Sequence, residues 1–346
     1  MIIELEKPKT DFNQALNKGK LLNLSELIPQ EMEDVHIKNM LHNWYRNITE
    51  LNFLPEFPED LEEIIIHSPT NIIFRTRSEQ VNYDSDLTRE DFNLILDYLS
   101  LKNQISWNLK SPFTSFFSTL RERQVRMTMI HGATNQENRA KIFIRFLNQK
   151  TIPLSAYGEI SDQLRQCVLE KKNILISGAT GSGKTTFMNS LLEHIPKAEH
   201  TIILEDTKEL ISPHENVTNF LSAPDNGEEY TLLSYLKYAM RMTPQRIIIG
   251  ELRSKEVEPL LSALNSGHNG LMSSIHANNA PGALEKFALL CQLYGKTGLD
   301  YKLVLKLICQ NIDYVVHIDD KKVAQVIQVF GSDDGQIFFE DLILNR

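Results

Sequence analysis

The chain contains 346 residues, with 36 Lys and Arg against 45 Asp and Glu, which gives a formal net charge of −9 at pH 7. Hydrophobic residues account for 42% and charged residues for 23%, ordinary values that exclude a disordered, collagen-like or low-complexity chain. The length predicts two domains. The acidic balance disfavours non-specific binding to nucleic acid, although it is compatible with a local basic patch.

The cysteines and the hydropathy pattern indicate the cellular compartment of the protein. Cys167, Cys291 and Cys309 are odd in number and form no C-x-x-C pair, which disfavours a disulfide framework or a zinc site and favours a reducing compartment. The N-terminus lacks the basic and apolar segments of a secretory signal. No uninterrupted apolar run approaches the ~20 residues of a membrane span. We therefore expect an intracellular protein.

The first part of the chain predicts a mixed α/β domain over residues 1–148, with a helical extension over 1–50. Apolar side chains over 37–51 recur at spacings of three and four, which is typical of one helix face. That face either packs on the rest of the domain or docks on a membrane surface or partner helix. Thr88 and Asp91 resemble a capping box at a helix start. Strands are predicted over 63–67, 71–75, 124–130 and 140–146, and a helix over 88–100.

The second part of the chain alternates strands with helices, the pattern of a parallel sheet covered by helices. Residues 149–160 include Pro153, Ser155 and Gly158 and are predicted to be a linker, and the second domain is assigned to 161–346. The continuous apolar run at 247–249 suits a strand buried on both faces. Strands are predicted over 173–177, 201–205, 246–251 and 272–275, and helices from 184, over 232–242 and over 256–265.

A glycine-rich segment between the first of these strands and the helix from Lys184 matches G-x-x-x-x-G-K-[ST] in full. Its glycines allow the backbone N–H groups to point at phosphate oxygens, and the following helix presents its positive end to the same anion. Lys184 would bind the β- and γ-phosphates and Thr185 would offer a hydroxyl to Mg²⁺. Because no N-K-x-D guanine-reading motif is present, ATP is preferred over GTP. The phosphate-binding residues are Gly178, Ala179, Thr180, Gly181, Ser182, Gly183, Lys184, Thr185 and Thr186.

Acidic residues follow two other predicted strands. Glu251 ends the strand over 246–251, the position at which a carboxylate can polarise the attacking water, with a surface pair to Arg253 as the alternative. Glu205 and Glu209 follow the strand over 201–205. One of them could reach Mg²⁺ or its waters, and we assign that role to Glu205 through water. Capping of the next element is the equal alternative for these acids.

Two histidines flank the short strand over 272–275. His276 again follows a strand end, where it could contact the γ-phosphate, although a lone histidine is more often structural. His268 and His276 lack a third ligand at useful spacing, so a zinc site is rejected.

Together these segments resemble the bacterial secretion ATPase superfamily, specifically the traffic ATPases of type IV secretion systems. The resemblance covers residues 150–320 and rests on the Walker A motif at 178–186, an acidic box at 205–210, a Walker B motif at 250–253 and a histidine box from Gly267-His268 to His276-Ala277. Arg241, Pro244 and Arg246 also fit the lead-in to the Walker B strand, with Gln245 where the family usually has Asp. The four-cysteine insert of type II secretion and pilus assembly ATPases is absent, which favours the traffic or retraction branches.

The resemblance implies a RecA-like C-terminal domain, a smaller N-terminal domain and a homo-hexamer of two stacked rings that binds ATP and Mg²⁺. It further implies that N-terminal arginines reach the nucleotide. By position these are Arg123, Arg126 and Arg145, of which we expect at most two to do so. Other secretion ATPases and inner-membrane channel components would be partners, at the cytoplasmic face of the inner membrane and with peripheral membrane contact. No direct sequence-specific nucleic-acid binding is expected.

Two other functions stay open. A type IV pilus retraction motor would share the chemistry and differ in its client. A nucleotide-ordered assembly platform would use ATP binding to order a ring, with incidental hydrolysis, and the intact Glu251 speaks against it. A RecA-type nucleic-acid translocase is disfavoured by the net charge and by the lack of an aromatic–basic strip.

Overall fold

The computed structural model describes residues 2–28, 34–76, 78–147, 151–223, 227–295 and 298–343. Contacts divide the chain into two compact units, Met1–Asn148 and Gln149–Arg346, hereafter the N-terminal unit and the C-terminal unit. Residues 149 and 150 of the predicted linker lie outside the described part. Leu154–Tyr157 form a 3-10 helix.

The N-terminal unit combines four helices with one six-stranded sheet in the described part of the chain. Neighbouring strands are antiparallel and follow the order β3-β2-β1-β6-β5-β4. The elements in chain order are α1 (Ile2–Asn17), α2 (Leu24–Leu27), α3 (Val35–Glu50), β1 (Leu61–Ser68), β2 (Asn71–Thr76), β3 (Gln80–Tyr83), α4 (Arg89–Lys102), β4 (Phe113–Leu120), β5 (Arg123–Ile130) and β6 (Lys141–Phe146).

The predicted strands and helices of this unit are present, with ends shifted by at most two residues. The side chain of Thr88 accepts from Asp91 N, which confirms the start of α4. The apolar face of α3 is buried through Ile37, Leu41, Trp44 and Ile48, and so packs within the unit instead of facing solvent. Strands β3 and β4 were not predicted. β3 is only four residues long without a fully buried position, and half of the residues of β4 are Ser or Thr, so neither forms a clear apolar run.

The C-terminal unit is built on an eight-stranded sheet of order β14-β13-β12-β7-β11-β10-β8-β9. Strands β12, β7, β11, β10, β8 and β9 are parallel, and β13 and β14 add as antiparallel strands. The elements are α5 (Ser161–Leu169), β7 (Ile174–Ser177), α6 (Lys184–Leu192), β8 (Thr201–Glu205), β9 (Val217–Leu221), α7 (Leu232–Ala239), β10 (Arg246–Ile249), α8 (Val257–Asn265), β11 (Met272–Ile275), α9 (Ala280–Tyr294), α10 (Tyr301–Asn311), β12 (Tyr314–Asp319), β13 (Lys322–Asp333) and β14 (Gln336–Asp341).

Helices cover both faces of this sheet. Ile174 and Ile176 of β7 pack with α5 and α6, whereas Leu175 between them packs with α7, α8, α9 and α10. The central strands are therefore buried on both faces, which is why they appear in the sequence as continuous apolar runs. Parallel strands place their carboxyl ends at one edge, and the segments after β7, β8, β10 and β11 meet there. No helix in the described ranges is long and apolar enough to cross a membrane.

Candidate active site

The glycine-rich loop turns from β7 into α6 as the sequence predicts. Gly178, Gly181 and Gly183 have φ values of 152°, 75° and 103°, which side chains rarely adopt. A Cβ at Gly178 would collide with the carbonyl oxygen of Ile318, so only glycine fits this approach. Gly183 is the N-cap of α6. The first turn of a helix leaves N–H groups without intrahelical partners, and these are available to an anion in the loop.

The side chain of Lys184 folds back onto the phosphate loop. Its Nζ donates to the carbonyl oxygens of Gly178 at 2.9 Å and Ala179 at 2.8 Å. Burial lowers the pKa of the Lys184 ammonium, an effect opposed by the carboxylates of Glu251 and Glu209. The loop therefore already holds a buried cation among acceptors that phosphate oxygens could replace.

His276 links this cation to the acid after β10. Its Nε2 lies 2.8 Å from Oε1 of Glu251, and its Nδ1 lies 3.2 Å from Nζ of Lys184. Nδ1 accepts from the Lys184 ammonium only in the tautomer that carries its proton on Nε2, whereas a hydrogen bond to a carbonyl oxygen needs the proton on Nδ1. The same Nδ1 lies 3.2 Å from the carbonyl oxygen of Gly178. The structure thus brings together three predicted residues from three separate strand ends.

Glu251 is also held from its other side. Nη2 of Arg253 donates to Oε2 of Glu251, and this hydrogen bond raises the pKa of the Arg253 guanidinium. The pair that sequence reasoning treated as an alternative to a catalytic role is present, but it lies inside the site. Arg253 is therefore a site residue that the sequence analysis did not select.

Glu205 and Glu209, the two predicted acids at the end of β8 and after it, make different contacts. Oε1 of Glu205 accepts from the backbone N–H groups of Glu209 at 2.9 Å and Leu210 at 2.8 Å, so this buried carboxyl caps the segment. Burial raises its pKa to about 7. Glu209 is the acid that meets the metal-ligand hydroxyl, because Oγ1 of Thr185 donates to its Oε2 at 2.9 Å. Glu209 therefore lies against Thr185 while Glu205 is engaged by the backbone, and a role for either acid with a metal stays a prediction.

Two further side chains that sequence reasoning missed hold these loops. Oε1 of Glu256 accepts from the N–H groups of Arg253 and Ser254, fixing the turn after Glu251. Oδ1 of Asn189, on α6, accepts from Ile211 N at 2.9 Å and ties the acidic segment to the helix that follows the loop. Asn189 acts on a backbone group 22 residues away, which no local pattern indicates, whereas Glu256 acts on groups two and three residues before it.

The loop fits a nucleotide phosphate chain with a divalent cation. The hydroxyl of Ser182 is buried within the loop and has no partner among the described residues. The neighbouring hydroxyl of Thr185 and carboxylate of Glu209 are the oxygen ligands that Mg²⁺ prefers.

The three predicted arginines lie in the N-terminal unit in two different environments. The guanidinium of Arg123 donates to the carbonyl oxygens of Pro58 at 3.2 Å and Leu61 at 2.7 Å, and stacks 4.1 Å from the ring centre of Phe146. Arg126 and Arg145 are directly opposed on β5 and β6, so they share one face of the sheet. Arg123 is thus occupied in packing. A role for any of the three with a nucleotide stays a prediction.

The fold and the loop define a RecA-like P-loop protein with a second, smaller α/β unit, as predicted. The family described as Type II/IV secretion system protein matches residues 115–323, more than half of the chain, and the chain belongs to that family. Over 177 residues it is 33% identical to the type IV secretion system protein VirB11 of Brucella suis, covering 49% of each chain. Over 167 residues it is 38% identical to PtlH of Bordetella pertussis, covering 47% of this chain and 49% of that one.

The chain spans about half the length of these relatives. Among solved structures it resembles the pilus retraction motor PilT with bound ADP, with a TM-score of 0.60 and 18% identity, covering 83% of this chain and 80% of that one. This likeness confirms the fold class, and the sequence matches confirm the predicted resemblance to secretion-system proteins.

Proposed function

We propose that this protein is an ATPase motor of a type IV secretion system, acting as a homo-hexamer at the cytoplasmic face of the inner membrane. The N-terminal and C-terminal units would be its N-terminal domain and its ATPase domain. The observation that carries the proposal is the contact chain from Lys184 through His276 to Glu251 beside the P-loop. The identity to VirB11 and PtlH favours secretion over pilus retraction as the client.

We assign a step of ATP hydrolysis to each of these residues. The loop amides and Lys184 would bind the phosphates, and Thr185 and Glu209 would hold Mg²⁺, which neutralises charge on the phosphate oxygens. Glu251 would accept a proton from water as the water oxygen bonds to the γ-phosphorus and the bond to ADP breaks. His276 would orient Glu251 and report the presence of the γ-phosphate through Lys184. Arg253 would keep the Glu251 carboxylate in place.

In the motor, other secretion ATPases and inner-membrane channel components would be the partners. Arg126 and Arg145, which share one face of the sheet, are our candidates for contacts from the N-terminal domain to the phosphates. Hydrolysis would then change the order of these contacts and move the domains.

ATP turnover by the full-length chain tests the catalytic assignment. We expect Lys184→Ala to lose nucleotide binding and Glu251→Gln to keep binding but lose turnover by about 100-fold or more, as removal of a positioned base does. Lys237→Ala and Glu285→Gln, which change exposed residues, are the matched controls. Wild-type turnover in the Glu251→Gln variant would refute the site assignment.

The client is tested in cells of the source bacterium. Loss of secretion, with pilus retraction intact, is expected for Glu251→Gln. Loss of pilus retraction alone would favour the retraction motor. Wild-type secretion by this hydrolysis-deficient variant would instead support the assembly platform.

A further inference from the structure

The turn between β12 and β13, residues 319–322, lies against the phosphate loop. The backbone N–H of Lys321 donates to the carbonyl oxygen of Ser182 at 2.9 Å. Ile318 is the residue immediately before this turn, and its carbonyl oxygen fills the space beside Gly178. Two different points of the loop therefore rest on the end of β12, a strand that the sequence analysis left unassigned.

The side chain of Lys321 begins at the loop itself. A Cβ placed on Gly183 would lie 3.4 Å from Cα and 3.6 Å from Cγ of Lys321. Gly183 is the residue from which α6 and its free amides start. The side chain is exposed, and three further atoms extend beyond Cγ to the ammonium. Within the part of the chain that the structure describes, no carboxylate lies within salt-bridge distance of that ammonium.

The turn presents this lysine in a conformation that costs free energy. Asp319 pairs with Lys322 across a two-residue turn, and Asp320 and Lys321 have φ values of 42° and 63°. Turns of this kind favour Gly or Asn at such positions, because a Cβ is strained there. A long cationic side chain at a strained position beside an anion-binding loop points to a role for the charge.

We propose that Lys321 is a second phosphate-binding cation of the nucleotide site, delivered from the β12–β13 turn to the phosphates in the loop that Lys184 serves. The inference rests on the proposed ATP-binding function and adds a residue to it. Lys184 reaches the phosphates from the start of α6, within the loop. Lys321 would reach them from a separate strand, so that nucleotide binding also fixes the turn to the loop.

Binding of the fluorescent nucleotide mant-ADP with Mg²⁺ to the full chain tests the proposal. Lys321→Met keeps the stem that packs on Gly183 and removes the charge, so we expect the Kd to rise about five-fold, or ~1 kcal/mol. Lys321→Glu doubles the change in charge and should raise the Kd by roughly the square of that factor, about 25-fold. Lys321→Arg keeps the charge and should restore binding.

Lys322→Met and Lys322→Glu are the matched controls, because Lys322 is the exposed neighbour on β13. Competition by adenosine should be unaffected by Lys321→Met, whereas competition by ADP should weaken, since adenosine carries no phosphate. The salt dependence of ADP binding should also become shallower in that variant.

The outcomes separate this inference from the function on which it rests. Unchanged mant-ADP affinity in a folded Lys321→Glu variant, alongside wild-type binding, would overturn the role of Lys321 alone. Absence of nucleotide binding by the wild-type chain, or full binding by Lys184→Ala, would overturn the proposed function. Should Lys321→Met unfold, restored folding without restored affinity in Lys321→Arg would assign the residue to the turn and reject the phosphate contact.

Discussion

Glu205 should make the stability of the C-terminal unit depend on pH, because its carboxyl is both buried and hydrogen-bonded to the backbone. Burial raises its pKa from 4.5 to about 7. Between these two pH values the folded protein binds a proton that the unfolded chain does not. The contribution of this bound proton to the free energy of unfolding is therefore fully present below pH 4.5 and is lost as the pH rises through 7. Wild-type stability should fall over this window on account of Glu205.

The magnitude follows from the two pKa values. Integrating the linkage between pH 5 and 8.5 gives a loss of about 2.5 kcal/mol from Glu205 alone. Glu205→Gln removes the titration and keeps an oxygen that can accept from Glu209 N and Leu210 N. The stability of the variant minus that of the wild type should therefore rise by about 2.5 kcal/mol across this range, which is roughly 5–10 °C in Tm for a unit of this size.

Calorimetry of the full chain at the two pH values measures this difference, with the transition of the C-terminal unit followed separately. Glu215→Gln, an exposed change of the same chemistry, should leave the difference between variant and wild type unaltered by pH. A pH-independent difference for Glu205→Gln would show that the pKa of Glu205 is not raised in the folded protein. If the variant also keeps ATP turnover, Glu205 is structural. Lost turnover at unchanged stability would return it to the catalytic set.

Two changes elsewhere test the packing of the C-terminal unit, each by its Tm against a control. Gly178→Ala places a Cβ closer than 3.0 Å to Ile318 O and should cost about 3 kcal/mol or more, whereas Gly331→Ala has a similar φ and open space and should cost about 1 kcal/mol. Equal losses would exclude the contact as the cause. Arg246→Met removes a fully buried guanidinium bonded to a carboxylate and should cost about 3–5 kcal/mol, against almost nothing for the exposed Arg241→Met. A stable Arg246→Met would show that the ion pair is dispensable.

The phosphate loop could be predicted from the sequence because its determinants are local. Glycines at three loop positions, an apolar strand before and Lys184 after fix the turn without any distant partner. The positions of Glu251 and His276 followed from topology, since the ends of buried parallel strands meet at one edge. Their mutual contact at 2.8 Å confirms that inference of proximity.

The division of labour between Glu205 and Glu209 could not be predicted, because it depends on how the chain turns after β8. Both acids stand in one polar segment, and the sequence does not show which carboxylate folds back on its own backbone. The backbone N–H groups of residues 209 and 210 donate to the Glu205 carboxylate, whereas the Glu209 carboxylate accepts from the hydroxyl of Thr185. Arg123 shows the same effect, since its partners are carbonyl oxygens that carry no sequence signal.

The net charge of −9 does not conflict with the polyphosphate binding that we propose. The electrostatic potential at the site depends on the groups around it and not on the total charge of the chain. The loop amides and the start of α6 are dipoles that a charge count ignores. Around them, Glu251 is matched by Arg253, and Glu209 is engaged by a hydroxyl. Lys184 lies among neutral acceptors. Glu251 and Glu209 are therefore each engaged by a neighbouring side chain, while the cationic charge of Lys184, joined in our proposal by that of Lys321, faces the phosphate loop.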